Sequence, residues 1–270
     1  MRRLFILPFA MALAAGCGPT DTDEDLLTDE FEALIGTDPE LADTDGDGYS
    51  DAYEHFTFFS PRKDNDFPYE EEGADYMRLP LPDGDAWDEL SEDKGWDEND
   101  FTGNWTAEDQ NGLELKLKRF YGQVVLVDVS AEWCNPCRSA AESLQEEYEE
   151  RRDDGFVPFT ILTQGPNPDS TDPDIASPSA ERWEDDFGIE APIIEDEERN
   201  IARRYLTTAY PTYTIIDREH NIVSLDQQGG TADFDLIDEL LDEDPPDVAY
   251  EWPEEAATIA EALGVPVPTQ

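Results

Sequence analysis

The sequence predicts an α/β domain that follows a long acidic spacer. Three observations carry this expectation. The valine-rich run Val124–Val129 reads as a buried strand. From Cys134 to about Arg152 the pattern turns helical, with Ala140, Ala141, Leu144 and Tyr148 along one side and acids along the other. Of 270 residues, 68 are acidic and 17 basic, and no Lys or Arg occurs from Leu4 to Pro61. The formal charge of −51 argues against electrostatic binding to nucleic acid, whose phosphates are held by Lys and Arg. It argues equally against a polybasic contact with anionic lipid. Hydrophobic residues at 38% and aromatics at 11% are still enough for a folded core. The cysteines are Cys17, Cys134 and Cys137, too few for a disulfide scaffold.

The chain opens Met1-Arg2-Arg3 and runs apolar from Leu4 to Ala15, too short to span a bilayer comfortably and typical of a signal-peptide core. It ends Leu13-Ala14-Ala15-Gly16-Cys17. This resembles the lipobox of bacterial lipoproteins, with the leucine one place earlier than usual. The resemblance implies a signal peptide over 1–16, lipid on Cys17 and attachment to the membrane through it, several acyl chains meeting the need for two anchoring signals. Gly18 follows, not the Asp of inner-membrane retention, which points to the outer membrane of a bacterial envelope. Disulfides persist in such a compartment.

The spacer is expected over 17–55. Within it, Asp43-Thr44-Asp45-Gly46-Asp47-Gly48-Tyr49-Ser50-Asp51-Ala52-Tyr53-Glu54 fits the loop of an EF-hand. Carboxylates at Asp43, Asp45, Asp47, Asp51 and Glu54, with the Tyr49 carbonyl, suit a hard cation, and Gly48 suits the sharp turn. The same frame recurs over Asp21–Glu32 with Leu26 in place of the turn glycine, so that copy is expected to bind weakly or not at all. With the connecting Gly36-Thr37-Asp38-Pro39, the pair resembles calcium-binding thrombospondin type-3 repeats. The implied cofactor is structural calcium, which stiffens a spacer rather than performing chemistry. Residues 56–100 read as a linker, partly docked, because a free linker rarely carries rings such as Phe58, Phe59, Tyr76, Trp87 and Trp96.

Ser130-Ala131-Glu132-Trp133-Cys134-Asn135-Pro136-Cys137-Arg138 sits where the strand gives way to the helix. A thiol near a helix N-terminus is stabilised as thiolate by unpaired backbone N–H groups and the helix dipole, so Cys134 is the expected nucleophile. Pro136 is tolerated in the first turn. Cys137, one turn in, can resolve a mixed disulfide. At these residues the chain resembles thioredoxin-like proteins of the tethered TlpA/ResA type. The resemblance implies a thioredoxin-like fold over 101–245, a central mixed sheet flanked by helices, followed by a C-terminal extension over 246–270. Gln110-Asn111-Gly112, with Leu115 and Leu117, resembles that group's leading hairpin. Phe156–Thr163 and Asn221–Leu225 are expected as strands, and Ser179–Phe187, Glu198–Leu206 and Phe234–Leu241 as helices.

The resemblance also assigns roles. Cys134 and Cys137 form a redox-active disulfide. Asp128 is the buried acid that exchanges a proton with Cys137. Pro211 is a cis-proline, Tyr210 before it offers its backbone to an extended client, and Trp133 shields the disulfide. Glu132 is read as a surface charge. Ala140, Glu142 and the absence of a lysine near Thr160–Thr163 depart from relatives, so proton handling is expected to differ. The implied activity is thiol–disulfide exchange with protein clients and an upstream redox partner, in the reducing direction, with no organic cofactor. Zinc would need two further Cys or His ligands, and only Cys17, His55 and His220 remain. A peroxiredoxin would carry Thr where Ala131 stands. The remaining alternative is a calcium-dependent surface module with an inert disulfide.

Overall fold

Val124–Ser130 is buried at every position, as a strand is in the middle of a sheet covered on both faces. The computed structural model describes residues 20–56, 59–66, 94–205 and 208–245. The signal segment with Cys17, most of the 56–100 linker and the 246–270 extension lie outside these. In chain order the strands are β1 (Lys94–Gly95), β2 (Phe101–Thr102), β3 (Thr106–Glu108), β4 (Glu114–Lys116), β5 (Val124–Ser130), β6 (Phe156–Leu162), β7 (Ile193–Glu195), β8 (Thr212–Ile216) and β9 (Ile222–Gln228). The helices are α1 (Asp29–Ile35), α2 (Asp51–Phe56), α3 (Asn135–Arg151), α4 (Pro173–Ala176), α5 (Ala180–Phe187) and α6 (Phe234–Leu241).

The main sheet runs β7-β6-β5-β8-β9. Its β5–β6 and β6–β7 pairs are parallel, and β5–β8 and β8–β9 antiparallel, so the sheet is mixed as expected. Helix α3 buries Cys137, Ala141, Leu144 and Tyr148 at helical spacing. The expected hairpin is β3–β4, with Gly112 at φ +80 in its turn. It docks on edge strand β7 through Gln110, whose side chain accepts from Ile193 N at 2.8 Å and donates to Ala191 O at 3.2 Å. That contact covers part of a sheet edge.

One expected helix does not form. In the described part of Glu198–Leu206 only a 3-10 turn, Ala202–Tyr205, is present. The Asp196 carboxylate accepts from the backbone N–H groups of Asn200, Ile201 and Ala202 at 2.7, 2.9 and 2.8 Å. Arg199 takes a left-handed φ of +58. A side-chain acceptor and a left-handed residue together replace the helical ladder.

The acidic repeats fold as two loop–helix units sharing a small core of Leu27, Ala52 and Tyr53, with Phe31, Ile35 and Tyr49 packed on it. The turn that follows, residues 59–66, is fixed to the redox domain. Lys63 Nζ meets Glu114 at 2.6 Å, Asn65 Nδ2 donates to Gly112 O at 2.8 Å, and Glu114 N donates to Asn65 O at 2.7 Å. Asp66 is buried between Arg119 and Lys116, and the Arg119 guanidinium lies 4.0 Å from the Phe59 ring centre. Phe59 is therefore one linker ring that docks, while Phe58, Tyr76 and Trp87 lie outside the described residues. Trp96 also packs on the main core. No helix among the described residues is long and apolar enough to cross a membrane.

Candidate active site and acidic loops

Cys134 is the N-cap of α3, and its Sγ accepts from Cys137 N at 3.3 Å. The two cysteines are joined by a disulfide, with Cα atoms 5.3 Å apart. Cys134 keeps 3% of its surface exposed and Cys137 none, so the first sulfur is the one a client can reach. A thiolate formed there faces the positive end of the helix. Pro136 lies in the first turn, where no intrahelical N–H is lost.

Asp128 lies in the centre of the sheet, opposite Thr160 on one side and Tyr213 on the other, not at an edge. It accepts from Ser130 Oγ at 2.8 Å. Burial pushes its carboxyl up from 3.8 to about 7, with the Ser130 hydrogen bond acting the other way. A cavity of about 10 Å³ is lined by Asp128 and Leu126 below, Ala140, Ser143 and Leu144 of α3 above, and Tyr213 and Phe234 beside them. Asp128 thus lies beneath the helix that begins with the disulfide.

Because the folded acid titrates above its unfolded value, its ionisation opposes folding. The penalty begins above pH 3.8 and is complete above pH 7, on the order of 4 kcal/mol. Asp128→Asn is expected to melt higher than the parent at pH 8, by roughly 2–4 °C for each kcal/mol regained. The advantage should shrink as pH falls through 7 and vanish near 3.5. Thermal melts across this range check it; a gap that does not vary with pH would remove Asp128 as the titrating group.

The β5–β8 register pairs Val129 with Thr212, which brings Pro211 level with the end of β5 next to the cysteines. The Tyr210–Pro211 peptide bond is cis. Tyr210 packs edge-on against Trp133, ring centres 6.0 Å apart, and its hydroxyl pairs with Thr163 Oγ1 at 2.7 Å. Trp133 is 45% exposed and donates from Nε1 to Gln164 at 3.1 Å. It stands at the rim as an open aromatic face, not a closed cover.

Glu132 is not a surface charge. It is 4% exposed and takes both forks of Arg182, Nη2 at 2.9 Å and Nε at 3.0 Å, and it also accepts from Ser179 N at 2.7 Å. This bidentate pair fixes the residues ahead of Trp133 and Cys134 to the start of α5. The local pattern carried no sign of it, since the partner lies far along the chain.

In the second acidic loop, Asp43, Asp45 and Asp47 bring carboxylate oxygens within 4.8 Å of one another. Glu54 is fully buried, and its carboxyl is pushed up to about 11 by burial first, then by Asp47 and Asp45. Buried carboxylates gathered in this way suit a divalent cation bound by oxygen. Asp51 has a different task here: both its oxygens accept from Thr44, from the amide at 2.8 Å and the hydroxyl at 2.6 Å, bracing the loop. Tyr49 N donates to Asp47 at 2.9 Å, and its ring stacks on Tyr53.

The first loop repeats this geometry bond for bond. Thr22 pairs with Asp29 as Thr44 does with Asp51, and Asp21 accepts from Glu24 N and Leu26 N as Asp43 does from Gly46 N and Gly48 N. Glu24 and Leu26 take φ of +66 and +86 where Gly46 and Gly48 take +84 and +102. Leu26 therefore accepts a left-handed backbone at some cost, and the loop does not collapse. Asp21, Asp23 and Asp25 cluster as their counterparts do, and Glu32 is fully buried, with neither carboxylate oxygen hydrogen-bonded among the described residues.

Residues 99–225 match the AhpC/TSA family, and residues 21–39 and 43–55 match the bacterial TSP3 repeat. The chain is 22% identical over 139 residues to the thiol-disulfide oxidoreductase ResA of Halalkalibacterium halodurans, covering 52% of this chain and 72% of that protein. To the ResA of Bacillus subtilis it is 21% identical over 122 residues, covering 45% of this chain and 63% of the relative, just under two thirds. Among solved structures, a thiol:disulfide interchange protein of the thioredoxin family from Chlorobium tepidum TLS covers 51% of this chain and 93% of its own, at 21% identity and a TM-score of 0.41. Residues 99–225 thus have a thioredoxin-like fold and match the AhpC/TSA family, segments matching the bacterial TSP3 repeat precede them, and the curated proteins this chain is similar to are thiol-disulfide oxidoreductases.

Proposed function

We propose that this chain is a membrane-anchored, extracytoplasmic thiol–disulfide oxidoreductase that reduces disulfides of envelope proteins through Cys134 and Cys137. One observation carries the reading: a disulfide that begins a helix, with the more accessible sulfur as the helix N-cap. The Cys134 thiolate attacks a client disulfide, forming a mixed disulfide and expelling one client thiolate. The Cys137 thiolate then attacks Cys134 Sγ, re-forming the Cys134–Cys137 bond and expelling the second. Two electrons and two protons from an upstream dithiol restore the pair. Asp128 accepts or returns the proton of Cys137, for which a carboxyl titrating near neutrality is suited. Trp133, Tyr210 and Pro211 form the edge along which the client lies.

Anchoring rests on Leu13-Ala14-Ala15-Gly16-Cys17. The mature chain starts at lipid-bearing Cys17, a calcium-bound spacer runs to residue 55, and the linker leads to the domain over 101–245. Asp43, Asp45, Asp47 and Glu54 hold calcium, with Tyr49 offering its carbonyl; Asp21, Asp23, Asp25 and Glu32 supply an equivalent set in the first loop. The ion contributes charge neutralisation and stiffness and takes no part in the redox step. Ala131 stands where a peroxidase would hold its threonine, which disfavours peroxide chemistry.

The test is the reduction potential of Cys134–Cys137, measured on the full chain in graded thiol buffers with alkylation and mass readout. A value near −270 mV is expected for a reductase. One near roughly −120 mV would reverse the direction to disulfide donation. A pair that fails to titrate would leave a calcium-bearing surface module with an inert disulfide.

A further inference from the structure

In a chain with 68 acids and 17 bases, a guanidinium without a carboxylate beside the active-site edge needs a reason. Arg138, Arg151 and Arg182 pair with Asp186, Asp238 and Glu132. Arg218 donates to the carbonyls of Gly122, Asp154 and Leu241. Arg199 does neither: among the described residues its guanidinium makes no ion pair or hydrogen bond, and lies 5.8 Å from the centre of the Tyr210 ring.

That ring belongs to the active-site edge. Tyr210 precedes Pro211, packs against the exposed Trp133, and Trp133 precedes Cys134. Trp133, Tyr210 and Arg199 therefore form a row leading away from the disulfide. The turn carrying Arg199 is held rigid, because the Asp196 carboxylate takes three consecutive N–H groups just after it. Arg199 itself occupies a left-handed backbone at φ +58. Such strain in a long-side-chain residue persists where surrounding contacts impose it, and it clusters at ligand sites.

We propose that Arg199 is a specificity-determining residue that receives a carboxylate, an Asp or Glu side chain of the client segment lying beside Tyr210 and Pro211. The inference rests on the oxidoreductase reading above. The guanidinium fork matches a carboxylate in two parallel hydrogen bonds, and its place over the Tyr210 ring pre-orients it. The net charge of −51 repels acidic clients at a distance. At physiological salt that field is screened beyond about 8 Å, so attraction at contact decides whether an acidic segment stays. Arg199 supplies that attraction next to the reacting sulfur.

The test uses the full-length reduced chain and three synthetic disulfide peptides that differ only in a Glu, Gln or Lys near the cysteine. The readout is the ratio of kcat/KM for the Glu peptide to that for the Gln peptide, at fixed salt. Arg199→Gln is expected to lower the ratio about three- to fivefold. Arg199→Lys, which keeps the charge and loses the fork, is expected to fall between. Arg203→Gln makes the same change in net charge at an exposed position one turn on, where the side chain has no ion pair among the described residues. It should leave the ratio as in the parent. An unchanged ratio in Arg199→Gln overturns the inference, as does an equal fall in Arg203→Gln, which would assign the effect to long-range charge. A parent chain that reduces none of the three peptides overturns the oxidoreductase reading itself.

Discussion

Cys134→Ser is expected to abolish turnover of disulfide clients, by on the order of 10³-fold or more, while Cys137→Ser should attack once and stall as a mixed disulfide. The two sulfurs are one helical turn apart but differ in surroundings. Cys134 caps α3, takes the Cys137 N–H at 3.3 Å and keeps a small exposed surface; Cys137 has none. A thiolate at the cap is favoured by the unpaired N–H groups of the first turn, and one step further in this advantage fades while desolvation grows. Without Cys137 the mixed disulfide on Cys134 has no internal thiolate to cleave it. Non-reducing electrophoresis with mass detection separates the cases: client adducts should accumulate on Cys137→Ser and not on Cys134→Ser. Adducts on Cys134→Ser instead would assign the attack to Cys137.

What the sequence made legible follows the range of each signal. The strand–helix switch around Cys134 is local: a run of valines, a proline in the first helical turn and apolar residues at helical spacing all lie within one continuous stretch, and β5 and α3 appear where those signals put them. The acidic loops were legible because their carboxylates come from one contiguous segment. Leu26 did not change the loop's shape, because six hydrogen bonds matched to those of the second loop hold its left-handed backbone in place. Glu132 and the stretch after Glu198 were misread for the opposite reason. Arg182 closes on Glu132 across the intervening strand and loop, and Asp196 diverts the N–H groups that a helix would have used. Charge counting sees neither. Arg199 is invisible to pattern reading as well, because its place beside Tyr210 and its lack of a carboxylate partner among the described residues are facts of tertiary structure.

The same distinction governs the largest stability effect expected outside the active site. Asp66→Asn should destabilise the chain by roughly 3–5 kcal/mol, although a single acid among 68 would seem expendable. Asp66 is 2% exposed and meets Arg119, wholly buried, at 2.5 Å, and Lys116 at 3.0 Å. Removing its charge leaves a buried guanidinium facing a neutral amide, and the cost of that desolvated cation falls on the folded state. Burial here also serves geometry: the turn from Phe59 to Asp66 comes soon after the second acidic loop, and Lys63 and Asn65 within it also hold the hairpin. Asp66 therefore helps to lock the turn that follows the acidic loops onto the β3–β4 hairpin. Urea unfolding of Asp66→Asn, Arg119→Met and the double variant checks the account. Each single change should be costly, and the double should cost clearly less than their sum, since the two side chains are in direct contact and their pair is lost only once. Additive losses would mean that Asp66 and Arg119 act independently, and limited proteolysis between residues 59 and 66 should then be no faster in Asp66→Asn than in the parent.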